Sequence, residues 1–528
     1  MRAKSLLLFA SAIALALATA SPAAMADGYP GRGKAIDKLE PSTDYSDLQP
    51  GRPRALGIMR ARAQGFVPSA ELHDYVRGVL LRDLAGLKMP ASFNPDVHIL
   101  AAPEFAALCT PDGTIIVTIG LLERLENEDE LAFVLGHEVS HYIYRHHDSD
   151  WFKQSQYYMV LNGAAVDSVA QAAPFAMGAF NSGNVARGLD VAQHISKLSA
   201  NVLAPQMERS QEDAADALGF DLMVKAGYDP EAPLALMDIL AIQEAEADAA
   251  VAQAKAAQQS DSSSSGSSSG SGGGFLGGIG GGLGALGGLG GIHVPGIGGG
   301  GGSSGWTDLG IAVFDTAVDS MSEQATSHHP AKVREELLSA YEFREYRDVK
   351  ATAPMPLPWG ADSKSPLKAK LTTLLSHYAA AEDAAGFVAD PNSTSPVAAQ
   401  AAMQRSVAVP TSDHAYTEYV AAEYYDGKKQ NQLSEAALVK ATNGPEPSWE
   451  VYSRLLDIYI ARNDFPRAQA LMAQAVTRFD DSPVLLPKRI QILHGMGQQA
   501  EAEKLLPQCD AYDIKELYAE CKKMAGKS

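Results

Sequence analysis

The stretch that most restricts how this chain can fold is "ELAFVLGHEVSHYIYRHH", residues 130–147. Leu131, Ala132, Phe133, Val134, Leu135 and Val139 recur at helical spacing and need a core to bury them. His137, Glu138 and His141 stand inside that apolar run. Buried polar groups are costly unless partnered, so such a helix must supply these three with something to bind. Side chains four positions apart share one helix face, so His137 and His141 can point at a single ion. Neutral imidazole is a good zinc ligand, and a catalytic zinc takes three protein ligands while one position stays open. Glu138 is poorly placed to be a ligand and well placed to take a proton from the water that such an ion activates. On a continuing helix His146 falls half a turn out of phase with His137, so His146 and His147 are read as surface or structural histidines.

Asn127, with Glu130 three residues on, predicts the start of this helix and its capping partner. Upstream, "SAELHDYVRGVLLRDLAGL" from Ser69 has helical spacing. "DVHILA" (96–101) and "GTIIVTIG" (113–120) are strand-like, with Pro111-Asp112-Gly113 as a turn between them. Residues 156–205 are apolar, but alanine-rich helical spacing and Asp167 favour packed helix over a membrane contact.

The third ligand has to come from elsewhere. In "ERSQEDAADALGFDLMVKAGYDP" (208–230), Glu212 and Asp216 are four apart and share a helix face. Glu212 could bind the metal, and Asp216 could accept a hydrogen bond from His137 and fix its tautomer. Glu208, Asp213 and Asp221 are acidic too, so composition alone also permits a solvated acidic face.

"HEVSH" and "ERSQEDAAD", followed by "GYDP", resemble the HtpX-like and Oma-type zinc metallopeptidases. Where that family has Ser-Arg this chain has Glu208-Arg209, while Arg209, Glu212, Ala215 and Asp216 match. The resemblance implies one zinc ion per chain held by His137, His141 and Glu212, with Glu138 as the base and Asp216 and Arg209 in support. It also implies an endopeptidase in which the 113–119 strand forms a sheet edge, where an extended substrate could pair. "TSHHPAKVREELL" (326–338) is similar to the family's His-Pro segment followed by an arginine, at His329, Pro330 and Arg334. On that likeness His329 would be a removable fourth ligand that latches the zinc.

Residues 260–305 hold 22 of the 47 glycines, too many for a packed element, and are expected to form a flexible insertion within the peptidase region. Further on, Ser448 matches Ser482, Tyr459 matches Leu493, Asn463 matches Gly497 and Ala468 matches Ala502, all 34 residues apart. That is the period of the tetratricopeptide repeat, and residues 415–441 look like an earlier unit at an offset of about 32. Residues 1–26 have a basic start, an apolar run and "AMA" before Asp27, the pattern of a secretory signal peptide. Removing them takes away Arg2 and Lys4 and no acidic residue, which moves the net charge from −20 to −22. So acidic a surface argues against nucleic acid as a partner. In an exported chain Cys509 and Cys521 could pair, leaving Cys109 free.

The expected architecture is therefore mainly α with a small β-sheet: a signal peptide (1–26), a zincin-like metallopeptidase domain (27–350) and a tetratricopeptide-like α-solenoid (351–528). This order is similar to that of the periplasmic β-barrel-assembly-enhancing proteases of Gram-negative bacteria. The likeness implies a periplasmic enzyme, soluble or peripheral at the outer membrane. Its substrates would be misfolded or stalled outer-membrane proteins, and its repeats would reach the outer-membrane assembly machinery. The alternative is a periplasmic chaperone or scaffold whose metal site is vestigial or latched.

Overall fold

A computed structural model describes residues 32–46, 65–148, 209–242, 329–389, 394–511 and 515–527, a few loop positions excepted. The expected signal peptide, residues 156–205 and the glycine-rich stretch lie outside them.

Helix α1 (Ala70–Asp83) starts where Ser69 Oγ accepts from the Leu72 amide. Three strands follow, β1 (Asp96–Leu100), β2 (Ala107–Cys109) and β3 (Thr114–Thr118), in the sheet order β1-β3-β2. β3 pairs parallel with β1 and antiparallel with β2. This corrects one expectation, because the 113–119 strand is the centre of the sheet and not its edge. The continuous Ile115-Ile116-Val117 run suits that place, since a strand covered on both faces need not alternate. Ile116 shares an apolar cluster with Leu486, Ile490 and Leu517 from the C-terminal helices. The outer side of β1 is taken up as Val67 N donates to Ile99 O (2.8 Å) and Ala101 N to Gly65 O (3.0 Å). Among the described residues, β2 keeps an unpaired outer side.

After α2 (Ile119–Arg124) comes the site helix α3 (Glu128–Ile143). Its start is the predicted one: Asn127 Oδ1 accepts from the Glu130 amide (2.9 Å), and Glu130 Oε1 accepts from Asn127 Nδ2 (2.8 Å). Every residue of α3 is buried except Glu138. Helix α4 (Arg209–Ala226) runs back along it. Near the start of α4, Glu212 and Asp216 face His137; past its end, Tyr228 bonds to Glu128 and the Asp229 amide to Asp129.

The two helices meet at glycines. A Cβ on Gly219 would lie 2.7 Å from the His137 nitrogen and 3.0 Å from Gly136 C, both backbone atoms that cannot swing aside. Gly219→Ala is therefore expected to push α4 off α3 at an overpacking cost of about 1–3 kcal/mol. Alanine gains about 1 kcal/mol of helix propensity over glycine. An unchanged or raised melting temperature would show that the contact yields.

Helix α5 (Ala331–Glu345) leads to a strap over residues 352–359 that stays on the site-bearing body. Met355 O accepts from Glu128 N (2.8 Å), Met355 N donates to Asp129 Oδ2 (2.6 Å), and Trp359 Nε1 donates to Leu122 O (2.7 Å). Further helices are α6 (Pro366–Ala389), α7 (Pro396–Ser406), α8 (Ala415–Gly427), α9 (Asn431–Asn443), α10 (Trp449–Ala461), α11 (Phe465–Arg478), α12 (Leu486–Gly495), α13 (Gln499–Lys504), α14 (Leu506–Asp510) and α15 (Lys515–Met524).

The turns of the hairpins α8–α9, α10–α11 and α12–α13 repeat one geometry. Lys429, Asn463 and Gly497, each 34 residues after the last, have φ of 59°, 57° and 74°. The next amide in each case, Gln430, Asp464 and Gln498, reaches back to Tyr425 O, Tyr459 O and Leu493 O at 2.8–2.9 Å. The earlier unit is thus in step at 34 residues, not at the expected offset of about 32. Cys509 and Cys521 form a disulfide joining α14 to α15, and Cys109 is free and buried. Among the described residues no helix is long and apolar enough to cross a membrane.

Candidate metal centre

His137 and His141 project from successive turns of α3, and Glu212 comes up from the first turn of α4. His137 Nε2 lies 3.2 Å from His141 Nε2 and 3.4 Å from Glu212 Oε2, and His141 Nε2 lies 3.7 Å from Glu212 Oε1. All three residues are buried, and one ligand atom from each falls within 4.8 Å of the others. Two imidazole nitrogens and a carboxylate with their lone pairs turned on one point fit a divalent ion of the zinc type. Each is a common zinc ligand, and three of them leave a coordination position open.

The surroundings fix the ligand orientations. His137 Nδ1 lies 2.8 Å from Asp216 Oδ1, which forces Nδ1 to carry the hydrogen and leaves Nε2 to face the centre. Arg334, on α5, grips the same carboxylate through Nε (2.9 Å to Oδ2) and Nη2 (2.6 Å to Oδ1). The fold thus delivers the arginine that follows the His-Pro segment to Asp216. Burial raises the Asp216 pKa, but Arg334 and His137 outweigh it and hold the carboxyl well below the ordinary range. Burial lowers the His137 pKa, and bonding to Asp216 and Glu212 overturns that and lifts it to about 10. His141 is pushed well below its usual value, mainly by burial.

Glu138 points out of the same helix as the one residue there with access to solvent. Helix α3 packs against β2, and the Cys109 thiol there has its pKa raised first by burial and next by the negative charge of Glu138. Arg209 opens α4 on the exposed surface. His329 sits on the approach to α5, with Nε2 3.6 Å from Asp213 Oδ1, and is not among the residues whose ligand atoms converge.

His146 and His147 are not the surface residues that one arm of the sequence reading allowed. α3 ends at Ile143, and Arg145 takes a left-handed φ of 55°. The chain folds back there, burying His147 and bringing His146 Nδ1 to 3.0 Å from His141 Nδ1. No sequence signal marks this turn, since neither Gly nor Pro stands at 144–146.

A His-Glu-x-x-His helix completed by a carboxylate from a second helix is the centre of a metallopeptidase. Residues 68–334 match the model of peptidase family M48, and the chain belongs to that family. Among curated relatives, the mitochondrial metalloendopeptidase OMA1 of Schizosaccharomyces pombe is 28% identical over 182 residues, 34% of this chain and 47% of the relative. The mitochondrial metalloendopeptidase OMA1 of Arabidopsis thaliana is 27% identical over 135 residues, 26% of this chain and 23% of the relative. The chain spans less than half the length of these relatives.

Proposed function

We propose that this protein is a zinc-dependent endopeptidase that hydrolyses peptide bonds of unfolded or misassembled polypeptides. The observation that carries the reading is the convergence of His137, His141 and Glu212 on one point, with Glu138 alone of its helix open to solvent. Zinc held by those three side chains supplies a Lewis acid that polarises a carbonyl and acidifies water. Glu138 takes the proton from the attacking water and returns it to the departing amine. Asp216 and Arg334 keep His137 in its binding tautomer. Family membership and the metalloendopeptidase relatives support the same chemistry.

The substrate edge in this reading is β2 and not β3. In the antiparallel pair, Thr118 N donates to Ala106 O and Thr110 N to Thr114 O. By alternation, Ala107 and Cys109 turn their backbone groups outward, where an extended chain can add a strand.

The peptidase unit takes in residues 27–350 and the strap at 352–359, and the helices from Pro366 onward form a tetratricopeptide-like solenoid that docks clients; the 34-residue recurrence of the hairpin turns supports the second assignment. The amino-terminal pattern and the Cys509–Cys521 disulfide support export to the periplasm and quality control of envelope proteins, including stalled outer-membrane proteins and their assembly machinery. The direct test is cleavage of an unfolded protein by the purified chain. A chelator is expected to abolish cleavage, and one equivalent of zinc to restore it. Cleavage that survives full removal of metal would overturn the reading.

A further inference from the structure

The two candidate metal-binding histidines are oriented by different devices. His137 has a carboxylate, Asp216, behind it. His141 has another imidazole. We propose that His146 is the positioning residue for His141: its Nδ1 accepts the hydrogen bond from His141 Nδ1–H and so holds His141 with Nε2 toward the metal. This deepens the zinc reading above and rests on it.

Five observations carry the inference. His141 Nε2 faces His137 and Glu212, so its other nitrogen must carry the hydrogen if it is to bind metal through Nε2. The partner of that nitrogen is His146 Nδ1 at 3.0 Å, with the rings edge to face at a centroid distance of 5.0 Å. His146 must then accept at Nδ1 and carry its own hydrogen on Nε2.

The backbone is also bent to make this contact. A continued helix would carry residue 146 roughly 140° round from residue 141. Instead Arg145 adopts a left-handed conformation that costs a non-glycine residue about 1–2 kcal/mol. Such strain persists only where the surroundings over-determine it.

The segment at 42–45 supplies that determination. Arg145 Nη1 donates to Ser42 Oγ and to Asp44 O, both at 3.0 Å, and Tyr45 OH donates to Ile143 O at 3.1 Å. Finally, the Tyr144 ring stacks on His146 at 5.4 Å and 21°, which fixes the plane of the acceptor. A merely space-filling residue needs none of this. A metal-bound histidine, by contrast, almost always gives its second ring hydrogen to a defined acceptor, and losing that acceptor typically costs 10- to 100-fold in metal affinity or activity.

The test measures zinc affinity of the full chain by chelator competition, together with the melting temperature of the metal-free protein. His146→Ala is expected to weaken zinc binding 10- to 100-fold. His146→Asn, whose amide oxygen occupies nearly the place of Nδ1, is expected to recover most of that loss. Wild-type affinity in His146→Ala would overturn the assignment and leave the zinc site standing. Equal losses in both variants, tracking a lower melting temperature, would also overturn it, because packing would then be the cause. If the unaltered chain binds no zinc while melting cooperatively, the zinc reading fails and this inference falls with it.

Discussion

Glu138→Gln is expected to lower the rate of polypeptide cleavage by about 10²- to 10⁴-fold, the usual weight of a positioned general base, while one zinc per chain is retained. The amide keeps the size and polarity of the carboxylate and loses only its capacity to take a proton. The environment makes this separation clean. Glu138 is the one residue of α3 that is not buried, and the amide keeps nearly the shape of the carboxylate, so folding should be little disturbed. Its helix packs on β2, the strand whose outer side is offered to an extended chain. Zinc analysis and cleavage measured on the same sample decide the matter. If zinc is lost along with activity, Glu138 is a ligand; if cleavage persists at the original rate, the proton passes through another group.

Arg334→Ala is expected to be the most destabilising single change at the site, although Arg334 is not one of the three candidate ligands and acts through Asp216. Asp216 is wholly buried and ionised, and it has two positive or hydrogen-donating partners, His137 and the Arg334 fork. Removing one partner from a buried ion pair typically costs about 3–5 kcal/mol, because the remaining charge stays out of water. For a body of this size that corresponds to a fall in melting temperature of roughly 5–15 °C. Zinc affinity should fall at the same time, since an unsupported Asp216 holds His137 less firmly. Because the Asp216 pKa is depressed in the folded chain, this stability is present above the unfolded value near 4 and is lost only as the pH falls below it. Thermal unfolding of the metal-free variant at neutral pH provides the check. A melting temperature within a degree of the parent would mean that solvent takes over the guanidinium's role. Arg334→Lys should rescue only in part, because an ammonium cannot bond both oxygens in the fork geometry.

What was legible in the sequence was whatever a single helix settles by its own periodicity. His137 and His141 four apart, the outward Glu138 and the Asn127 cap are all local, since the rise and twist of a helix fix relative directions along one segment. The pair Glu212 and Asp216 was visible as a helical face, but its acidic neighbours blurred it; only a resemblance, and then the packing of α4 on α3 at Gly136 and Gly219, singled it out. Strand β2 escaped because three residues are too few to show a period.

The rest was decided by tertiary structure. That β3 lies in the middle of the sheet depends on which strands find it, and β1 and β2 are joined to it by hydrogen bonds that no local pattern encodes. Arg334 reaches Asp216 across 118 residues, and His329 is turned to Asp213 by the same placement of α5. His146 was assigned out of phase on the assumption that α3 continues. The helix instead stops at Ile143, because contacts from residues 42–45, about a hundred positions upstream, stabilise a left-handed Arg145. By itself the sequence determined which residues could share a helix face and therefore which metal chemistry was possible. Which side chains stand behind the ligands, and which strand is open to a substrate, followed only from contacts between distant segments, whose energies no local spacing records.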